Sequence, residues 1–497
     1  MLKSNVAESP NPARPRQNFR QPKSLISTIT MRLLDTTTFP LKSFDVRDDR
    51  PPYAILSHAW GLEGSEVLYE DVRDIAPRVL PEKVKKTGVA KVVGTCALAK
   101  KDGFAHVWID TCCIDKSSSA ELSEAINTMF EWYSDAAICY AYLADVERSS
   151  EVETLATSRW FERGWTLQEL IAPKAVGFYD KSWEPLGSRK ELAKKIEGIT
   201  GIKKHLLQRH GIRAPDVAMH KKAMREVQDM LATISVATRM SWAAKRKTTR
   251  EEDIAYCLLG VFGVHMPLLY GEGGENAFVR LQRQIVQSTP YDQSILAWTT
   301  NDSETRVQIF SPSPRGFVED VSIFPRSRIT RDLTPTSNGL QVDVLLGRFP
   351  NSDLSIIRDG MGDLEMLRYR DPHCYVAVVD FARPGSFLSR PALLVRKLSV
   401  ENRTLYIKLV NGIVWLGGPN SSGAPFIEGS LGSSFRVTSM LFFRPRSNLP
   451  SRRLRSDQIS RRATGDAGSI PTRGHHLSRH ASCRTNRTLP AADGVLF

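Results

Sequence analysis

Cysteine is scarce in this sequence, and its positions do not form the pattern of a disulfide framework. The seven cysteines are an odd number, and five of them fall inside apolar stretches. Such cysteines are typical of reduced, buried thiols in an intracellular protein. The seven are Cys96, Cys112, Cys113, Cys139, Cys257, Cys374 and Cys483. Adjacent cysteines such as Cys112 and Cys113 do not readily chelate one metal, and no Cys-x-x-Cys pair is present, so we expect no metal site in the folded part.

Long apolar runs are also missing. No stretch of 18 apolar residues occurs, so we expect no transmembrane helix. Lys3 is not followed by the apolar segment of a secretory signal. These features lead us to expect a cytoplasmic protein without a membrane span.

Two common enzyme motifs do not occur. There is no Gly-x-x-x-x-Gly-Lys-Ser/Thr loop for phosphate binding and no Gly-x-Ser-x-Gly nucleophile elbow. The glycine-rich stretch Gly271-Glu-Gly-Gly-Glu275 carries two carboxylates, which would repel phosphate, and it is predicted to be a turn. P-loop hydrolysis and the usual serine hydrolase are therefore excluded.

The net charge of +14 is concentrated at the two ends of the chain. Residues 444–497 carry +8 and residues 1–30 carry +4, which leaves +2 for residues 31–443. Both ends are poor in apolar residues, and we expect them to be disordered tails, the second one arginine-rich. His476, His480 and Cys483 have loose metal-ligand spacing but belong to that tail. A near-neutral body does not favour a nucleic-acid surface, so we expect no nucleic-acid partner. If nucleic acid is bound at all, deletion of residues 444–497 should abolish the affinity.

Three short apolar runs separated by helical patterns indicate an α/β fold with a parallel sheet flanked by helices. The predicted strands are Tyr53–Trp60, His106–Asp115 and Ala137–Leu143, with a shorter one at Met31–Asp35 and another at Ala175–Tyr179. Thr87–Lys101 is predicted to be a helix that ends at Gly103. Ligands bind at the carboxyl ends of such parallel strands, so a site is expected there.

Three stretches carry the Ser/Thr-x-x-Glu pattern of a capping box. Ser118 and Glu121 precede the clearest amphipathic helix of the chain, and similar pairs stand at Ser188/Glu191 and Thr249/Glu252. Residues 201–289 have helical periodicity, and residues 290–443 read as a β-rich domain. The strands predicted in that domain are Ser294–Trp298, Leu340–Leu346, Tyr375–Phe381, Ala392–Leu398 and Thr404–Val410.

Glu169 is the candidate catalytic residue. It lies four residues after Trp165 on a helix that Pro173 should end, so the carboxyl and the indole share a face. A carboxylate held beside an indole at a sheet edge can stabilise the positive charge that develops when a glycosidic bond breaks. A second interpretation remains open, in which Glu169 pairs with Arg163 or caps a neighbouring loop.

Five further residues are candidates for a substrate pocket around Glu169. Ser57, His58 and Trp60 close the first predicted core strand, Asp110 lies in the second, and Trp165 precedes Glu169 on the same helix face. A single histidine in such a place is more often structural than functional.

These stretches resemble a known family. Tyr53-Ala-Ile-Leu-Ser-His-Ala-Trp-Gly61, Val107-Trp-Ile-Asp-Thr-Cys-Cys-Ile-Asp-Lys-Ser-Ser118 and Arg163-Gly-Trp-Thr-Leu-Gln-Glu-Leu-Ile-Ala-Pro173 are similar to the three blocks of the fungal heterokaryon incompatibility (HET) domain. A fourth stretch, from Met240 to Gly273, resembles the helical region that follows this domain. The resemblance predicts a HET domain over residues 31–200, a helical region over 201–289 and the β-rich domain over 290–443.

The resemblance implies non-self recognition between fungal strains, with programmed cell death as the output. It implies protein partners, through self-association of the HET domain or through another incompatibility protein. HET domains are regarded as related to TIR domains, which implies a TIR-like sheet. Trp165-Thr-Leu-Gln-Glu169 is similar to the TIR block whose glutamate cleaves NAD⁺, although Thr166 stands where many TIR proteins have cysteine. An NAD⁺ glycohydrolase activated by self-association is therefore the alternative function, with NAD⁺ as substrate and no bound cofactor.

Overall fold

The computed structural model describes most of the first three hundred residues and scattered strands beyond them. The described residues are 30–44, 50–74, 84, 86–147, 152–208, 217–299, 308–317, 321–323, 332–336, 339–342, 344–348, 356–357, 373–379, 381–382, 390–400, 403–408, 414–416 and 435–437. The two predicted tails, with His476, His480 and Cys483, lie outside them. Within the described part, none of the helices has the length and apolar character needed to cross a membrane.

A seven-stranded mixed sheet organises the first two hundred residues. Its strands are β1 (Met31–Asp35), β2 (Leu41–Phe44), β3 (Ala54–His58), β4 (His106–Trp108), β5 (Ile138–Tyr142), β6 (Val176–Tyr179) and β7 (Pro185–Ser188). The order across the sheet is β2-β1-β4-β3-β5-β6-β7. The central strands β4, β3, β5 and β6 are parallel, whereas β1, β2 and β7 add antiparallel edges. The predicted α/β class is confirmed at this level.

Burial explains why the central strands are so apolar. All five residues of β3 are buried, as expected for a strand covered by helices on both faces of a sheet. Helix α1 (Tyr69–Val72) precedes α2 (Gly88–Lys101), which packs on β4. The sheet therefore presents only its ends and edges to the rest of the molecule.

The second predicted strand, His106–Asp115, is too long. β4 ends at Trp108, and Asp110–Cys113 forms the short helix α3. A continuous apolar run does not distinguish a buried strand from a buried helical turn. For this reason the predicted strand extends beyond Trp108 into the helical turn. The consequence is that Asp110 lies just beyond the carboxyl end of its strand.

Helix α4 (Ser119–Asp135) is the long amphipathic helix that the sequence predicts. The Ser118 hydroxyl accepts a hydrogen bond from the Glu121 amide over 3.3 Å, so the cap is confirmed. The Glu121 carboxylate does not return to Ser118. It accepts from the amide of Asp115 and pairs with Arg32 on β1, which ties the start of the helix to the sheet.

Two short α-helices lie between β5 and β6, and the described residues from Ala193 to Ser288 are mainly helical, as predicted for residues 201–289. The helices are α5 (Arg159–Glu162), α6 (Thr166–Ile171), α7 (Ala193–Thr200), α8 (Lys204–Leu207), α9 (Val217–Ala232), α10 (Val236–Ser241), α11 (Asp253–Tyr256), α12 (Leu259–Phe262) and α13 (Gly274–Ser288). Helices α9 and α12 pack against α4. The approach of α12 is close, because a Cβ added to Gly260 would lie 2.1 Å from Cβ of Phe130. The helical region thus shares a core with the sheet.

The two other predicted capping boxes have different outcomes. Ser188 and Glu191 exchange hydrogen bonds as predicted, but α7 begins at Ala193, five residues beyond Ser188. The cap predicted at Thr249 is wrong, since Glu252 itself precedes α11. Its carboxylate instead accepts hydrogen bonds from the amides of Gly271 and Gly273, over 2.7 and 3.1 Å. This contact fixes the predicted glycine turn, in which both glycines have positive φ.

Short strands follow beyond residue 320. They are β8 (Ser322–Ile323), β9 (Thr334–Thr336), β10 (Gly339–Gln341), β11 (Val344–Arg348), β12 (Ile356–Ile357), β13 (Cys374–Val378), β14 (Phe381–Ala382), β15 (Arg390–Val400), β16 (Arg403–Lys408), β17 (Val414–Leu416) and β18 (Phe435–Val437). All the pairings among them are antiparallel. The strand predicted at Ser294–Trp298 is wrong, because Gln293–Leu296 is a 3₁₀ helix. A separate β-rich domain over residues 290–443 stays a prediction.

The cysteines agree with the expectation of reduced thiols. Five of them are buried and free, in helices, in β5 and beside α11. Burial raises the pKa of the Cys139 thiol well above its ordinary value, so this residue is an apolar part of the core.

Candidate functional site

A buried hydrogen-bonded chain joins the end of β3 to helix α6. The Trp160 indole donates to the Ser57 hydroxyl over 2.9 Å, and that hydroxyl donates to the Glu169 carboxyl over 2.5 Å. Ser57 and Trp160 are almost completely buried, and Glu169 is 6% exposed. Among the described residues, Ser57 is the only donor to the carboxyl of Glu169. The candidate carboxyl therefore lies at the carboxyl end of a central strand, as the sequence predicts.

Burial dominates the acidity of Glu169. Desolvation raises its pKa to about 8, while the hydrogen bond from Ser57 and the charges of Arg163 and Arg246 act in the opposite direction. The carboxyl is thus largely protonated at neutral pH. A nearby positive charge, such as that of a cationic ligand, would favour its ionised form.

His58 and Asp110 form a second polar pair at the same sheet edge. Asp110 Oδ1 lies 2.8 Å from His58 Nε2, and Asp110 Oδ2 accepts a hydrogen bond from the Trp60 indole over 2.9 Å. Burial acts to raise the pKa of Asp110, but the hydrogen bond from His58 and the positive charge of Lys116 outweigh it and hold the pKa below its usual range. Asp110 is therefore an ionised carboxylate whose two oxygens are both engaged.

Lys91 and Glu66 complete this pair from the other side of the imidazole. The Lys91 ammonium donates to His58 Nδ1 over 2.7 Å and to Glu66 over 2.6 Å. Burial lowers the pKa of His58, and the charge of Lys91 lowers it further. Because Nδ1 accepts from the Lys91 ammonium, the ring proton is assigned to Nε2, which donates to Asp110. The histidine thus links two charged groups.

Two cations lie over the Trp60 indole. The Lys116 ammonium is 3.7 Å from the ring centroid and the Arg163 guanidinium carbon is 5.5 Å from it. Burial lowers the pKa of Lys116 to about 8. Within the described part of the chain, neither cation forms an ion pair or a side-chain hydrogen bond.

The turn between α5 and α6 is clamped by residues far along the chain. Lys247 bridges to it through its backbone: its amide donates to Glu162 O over 2.6 Å, and its carbonyl accepts from the Gly164 amide over 2.8 Å. The buried Arg246 guanidinium donates to Arg163 O and to the Thr166 hydroxyl, over 2.8 and 2.9 Å. The helical region thus fixes the segment that carries Glu169.

The indole of Trp165 contacts the helical region at Asp253 and does not reach the carboxyl of Glu169. Its indole nitrogen donates to Asp253 over 3.1 Å, and Asp253 also accepts from Tyr270. The indole that reaches the Ser57–Glu169 pair is that of Trp160. No direct ion pair joins Glu169 to Arg163 among the described residues. The interpretation in which Glu169 pairs with Arg163 is therefore not observed.

Sequence reasoning found Ser57, His58, Trp60, Asp110 and Glu169, and the structure brings these five together at one sheet edge. It missed five polar or aromatic partners that complete the network. These are Glu66, Lys91, Lys116, Trp160 and Arg246. Lys116 and Arg246 lie inside quoted stretches, whereas Glu66, Lys91 and Trp160 come from other elements and meet the site only in the fold.

A metal centre is not part of this arrangement. The described residues contain no group of three or more histidine, cysteine, aspartate or glutamate side chains placed to hold a metal ion. The polar groups of this edge are instead hydrogen-bonded to one another.

The fold and the site define a class: a helix-covered α/β domain with a polar cluster at the carboxyl ends of its parallel strands. Within that class, the sequence model of the heterokaryon incompatibility protein (HET) family matches residues 53–152. The chain therefore carries a HET domain.

A curated relative extends the similarity. The vegetative incompatibility protein HET-E-1 of Podospora anserina is 44% identical over 243 residues, which is 47% of this chain. The chain covers 16% of the length of that relative. No solved structure matches the chain significantly.

Proposed function

We propose that this protein is a signalling protein of heterokaryon incompatibility, in which non-self recognition triggers programmed cell death in a fungus. The observation that carries this proposal is the HET domain, with 44% identity over 243 residues to a vegetative incompatibility protein. The expected partners are proteins, bound through HET self-association or through another incompatibility protein. The near-neutral body argues against nucleic acid, and we place the protein in the cytoplasm.

Induced expression in a fungal host tests this function. High expression forces association, so induction should stop growth and kill the cells. Arg246→Ala, which removes the buried clamp from the α5–α6 turn, should kill less effectively, and Lys245→Ala at the exposed neighbouring position is the matched control. Normal growth of cells that contain abundant, folded wild-type protein would contradict the proposal.

A second candidate function is supported by the environment of Glu169. In this proposal the domain is TIR-like and hydrolyses NAD⁺ at the nicotinamide–ribose bond. Water attacks the ribose carbon, nicotinamide leaves with the bonding electron pair, and ADP-ribose and one proton are released. The carboxylate of Glu169 stabilises the developing oxocarbenium charge. Its pKa of about 8 suits this role only if the substrate is cationic, and NAD⁺ brings a positive pyridinium to the carboxyl.

Nicotinamide release separates the two candidates. Purified wild-type protein and Glu169→Gln are compared at concentrations that force association, with circular dichroism as the check of folding. Release by the wild type and none by the variant supports the enzymatic function. If neither protein cleaves NAD⁺ while the wild type still kills the host, the domain acts by assembly and Glu169 is structural.

A further inference from the structure

Lys116 is unusual among the charged residues of the site. Its ammonium nitrogen is buried and has no hydrogen-bond partner among the described residues. A buried ammonium without a partner is costly, and a flexible lysine near the surface is free to point outward instead. Here the side chain folds back over the Trp60 indole. The Lys116 ammonium is therefore placed so that an acceptor group of a ligand could form its hydrogen bonds.

The neighbouring carboxylates do not supply that acceptor. Both oxygens of Asp110 are engaged, by His58 and by Trp60. Glu66 accepts from Lys91 and from the Gly61 amide through one oxygen. Lys116 is left with electrostatic attraction to Asp110 but no hydrogen bond.

Arg163 adds a second cation beside the same indole. Its guanidinium forms no side-chain hydrogen bond within the described ranges, and its charge is felt at Lys116, Asp110 and Glu169. Around His58 and Trp60, the cations Lys91, Lys116 and Arg163 face the carboxylates of Glu66 and Asp110. The third cation, Lys91, is already paired with Glu66. The local excess of positive charge therefore resides on Lys116 and Arg163.

We propose that Lys116 and Arg163 form a binding site for a phosphate or diphosphate group, next to the carboxyl of Glu169. An ammonium is a point donor and a guanidinium is a two-pronged donor, and together they match the several oxygens of a diphosphate. This inference rests on the second proposed function and specifies it: the ligand is a nucleotide whose diphosphate is held here while its sugar lies at Glu169. Lys116 and Arg163 are specificity residues in this arrangement.

Pyrophosphate binding to the full chain, measured by calorimetry, tests the site without any turnover. The variants are Lys116→Gln and Arg163→Gln, and the control is Lys101→Gln, which removes the same charge from an exposed position on α2. Wild type and control should bind pyrophosphate equally, and the two site variants at least tenfold more weakly. Residues 444–497 are present in every variant, so their arginines do not produce a difference. Lys116→Arg should restore binding, which excludes simple misfolding.

Two results would overturn the site: absence of saturable pyrophosphate binding by wild type, or equal weakening by the Lys101 control. ADP-ribose distinguishes the source of the phosphate. Tighter binding of ADP-ribose than of pyrophosphate supports a nucleotide ligand, and equal binding supports a free phosphate ligand at the same two residues. Pyrophosphate binding without NAD⁺ cleavage would leave this site standing while the enzymatic function fails.

Discussion

Ser57 donates a hydrogen bond to Glu169 over 2.5 Å, although 112 positions separate the two residues in the chain. The contact joins the last part of β3 to helix α6 in a buried environment. A carboxyl placed there is kept from water by the fold itself. Its protonation is therefore linked to folding, and this linkage makes the site accessible to measurement.

The substitution Glu169→Gln should change how stability depends on pH. The ordinary pKa of 4.5 applies to the unfolded chain and about 8 to the folded one. As pH rises between these values, the unfolded state ionises first, so the wild type loses about 1.4 kcal/mol of stability per pH unit from this group. The loss ends once the pH passes the folded pKa. Glutamine does not ionise, so the variant should become the more stable protein toward pH 8.

Urea unfolding of both proteins at pH 5, 6.5 and 8 measures this difference. Parallel stability curves for wild type and variant would contradict the buried, protonated state of Glu169. The comparison needs no assumption about activity.

Ser57→Ala should destabilise the protein by about 1–3 kcal/mol, because it leaves the Trp160 indole and the Glu169 carboxyl without their shared partner. Loss of the donor should also raise the pKa of Glu169 further. Under the proposed NAD⁺ glycohydrolase function, the pH at which cleavage rises should then shift upward. Ser119→Ala, at an exposed position of α4, is the control and should leave both quantities unchanged.

Arg246→Ala should cost about 3 kcal/mol or more, since it removes three hydrogen bonds and leaves buried acceptors unsatisfied. The adjacent Lys245 is exposed, and Lys245→Ala should change stability by less than about 0.5 kcal/mol. Thermal unfolding of the two variants provides the comparison. Equal melting temperatures would show that the clamp does not stabilise the α5–α6 turn.

Two glycine substitutions should act in opposite directions. A Cβ at Gly164 would lie 2.6 Å from Thr248 Cγ2 and 3.1 Å from Cys257 Sγ, so Gly164→Ala should destabilise by about 1–3 kcal/mol. Gly198 lies in α7, where a Cβ meets no atom within 4 Å, and Gly198→Ala should stabilise by about 0.5–1 kcal/mol. Urea titration measures both free energies. Stabilisation by Gly164→Ala would refute the close packing of Lys247 and Thr248 on this turn.

Periodicity predicted the parts of the fold in which local preference and burial agree. The helix after Ser118 and the strand before His58 follow directly from the spacing of their apolar residues. Near Asp110 and Ser294 the same reasoning failed, because a short apolar run has the same composition in a buried turn as in a strand. Tertiary packing decides between a turn and a strand at these positions, and the local sequence carries no information about it.

The candidate site was predictable only where its residues lie within the quoted motifs. Glu169 and His58 were predicted because ligand-binding residues often lie at the carboxyl ends of parallel strands. Lys91 belongs to the buried face of a helix, and Arg246 comes from the separate helical region, so no local pattern indicates them. Trp165 was placed beside Glu169 by helical spacing, but Asp253 attracts its indole from outside the helix.

The clamp at Arg246 and Lys247 has a consequence for biosynthesis. During translation the Glu169 turn emerges long before the residues that fasten it. The turn acquires these contacts only after Arg246, which lies 83 positions beyond Arg163, has been synthesised. A nascent chain that ends before Arg246 therefore lacks the hydrogen bonds that hold the Glu169 segment in place.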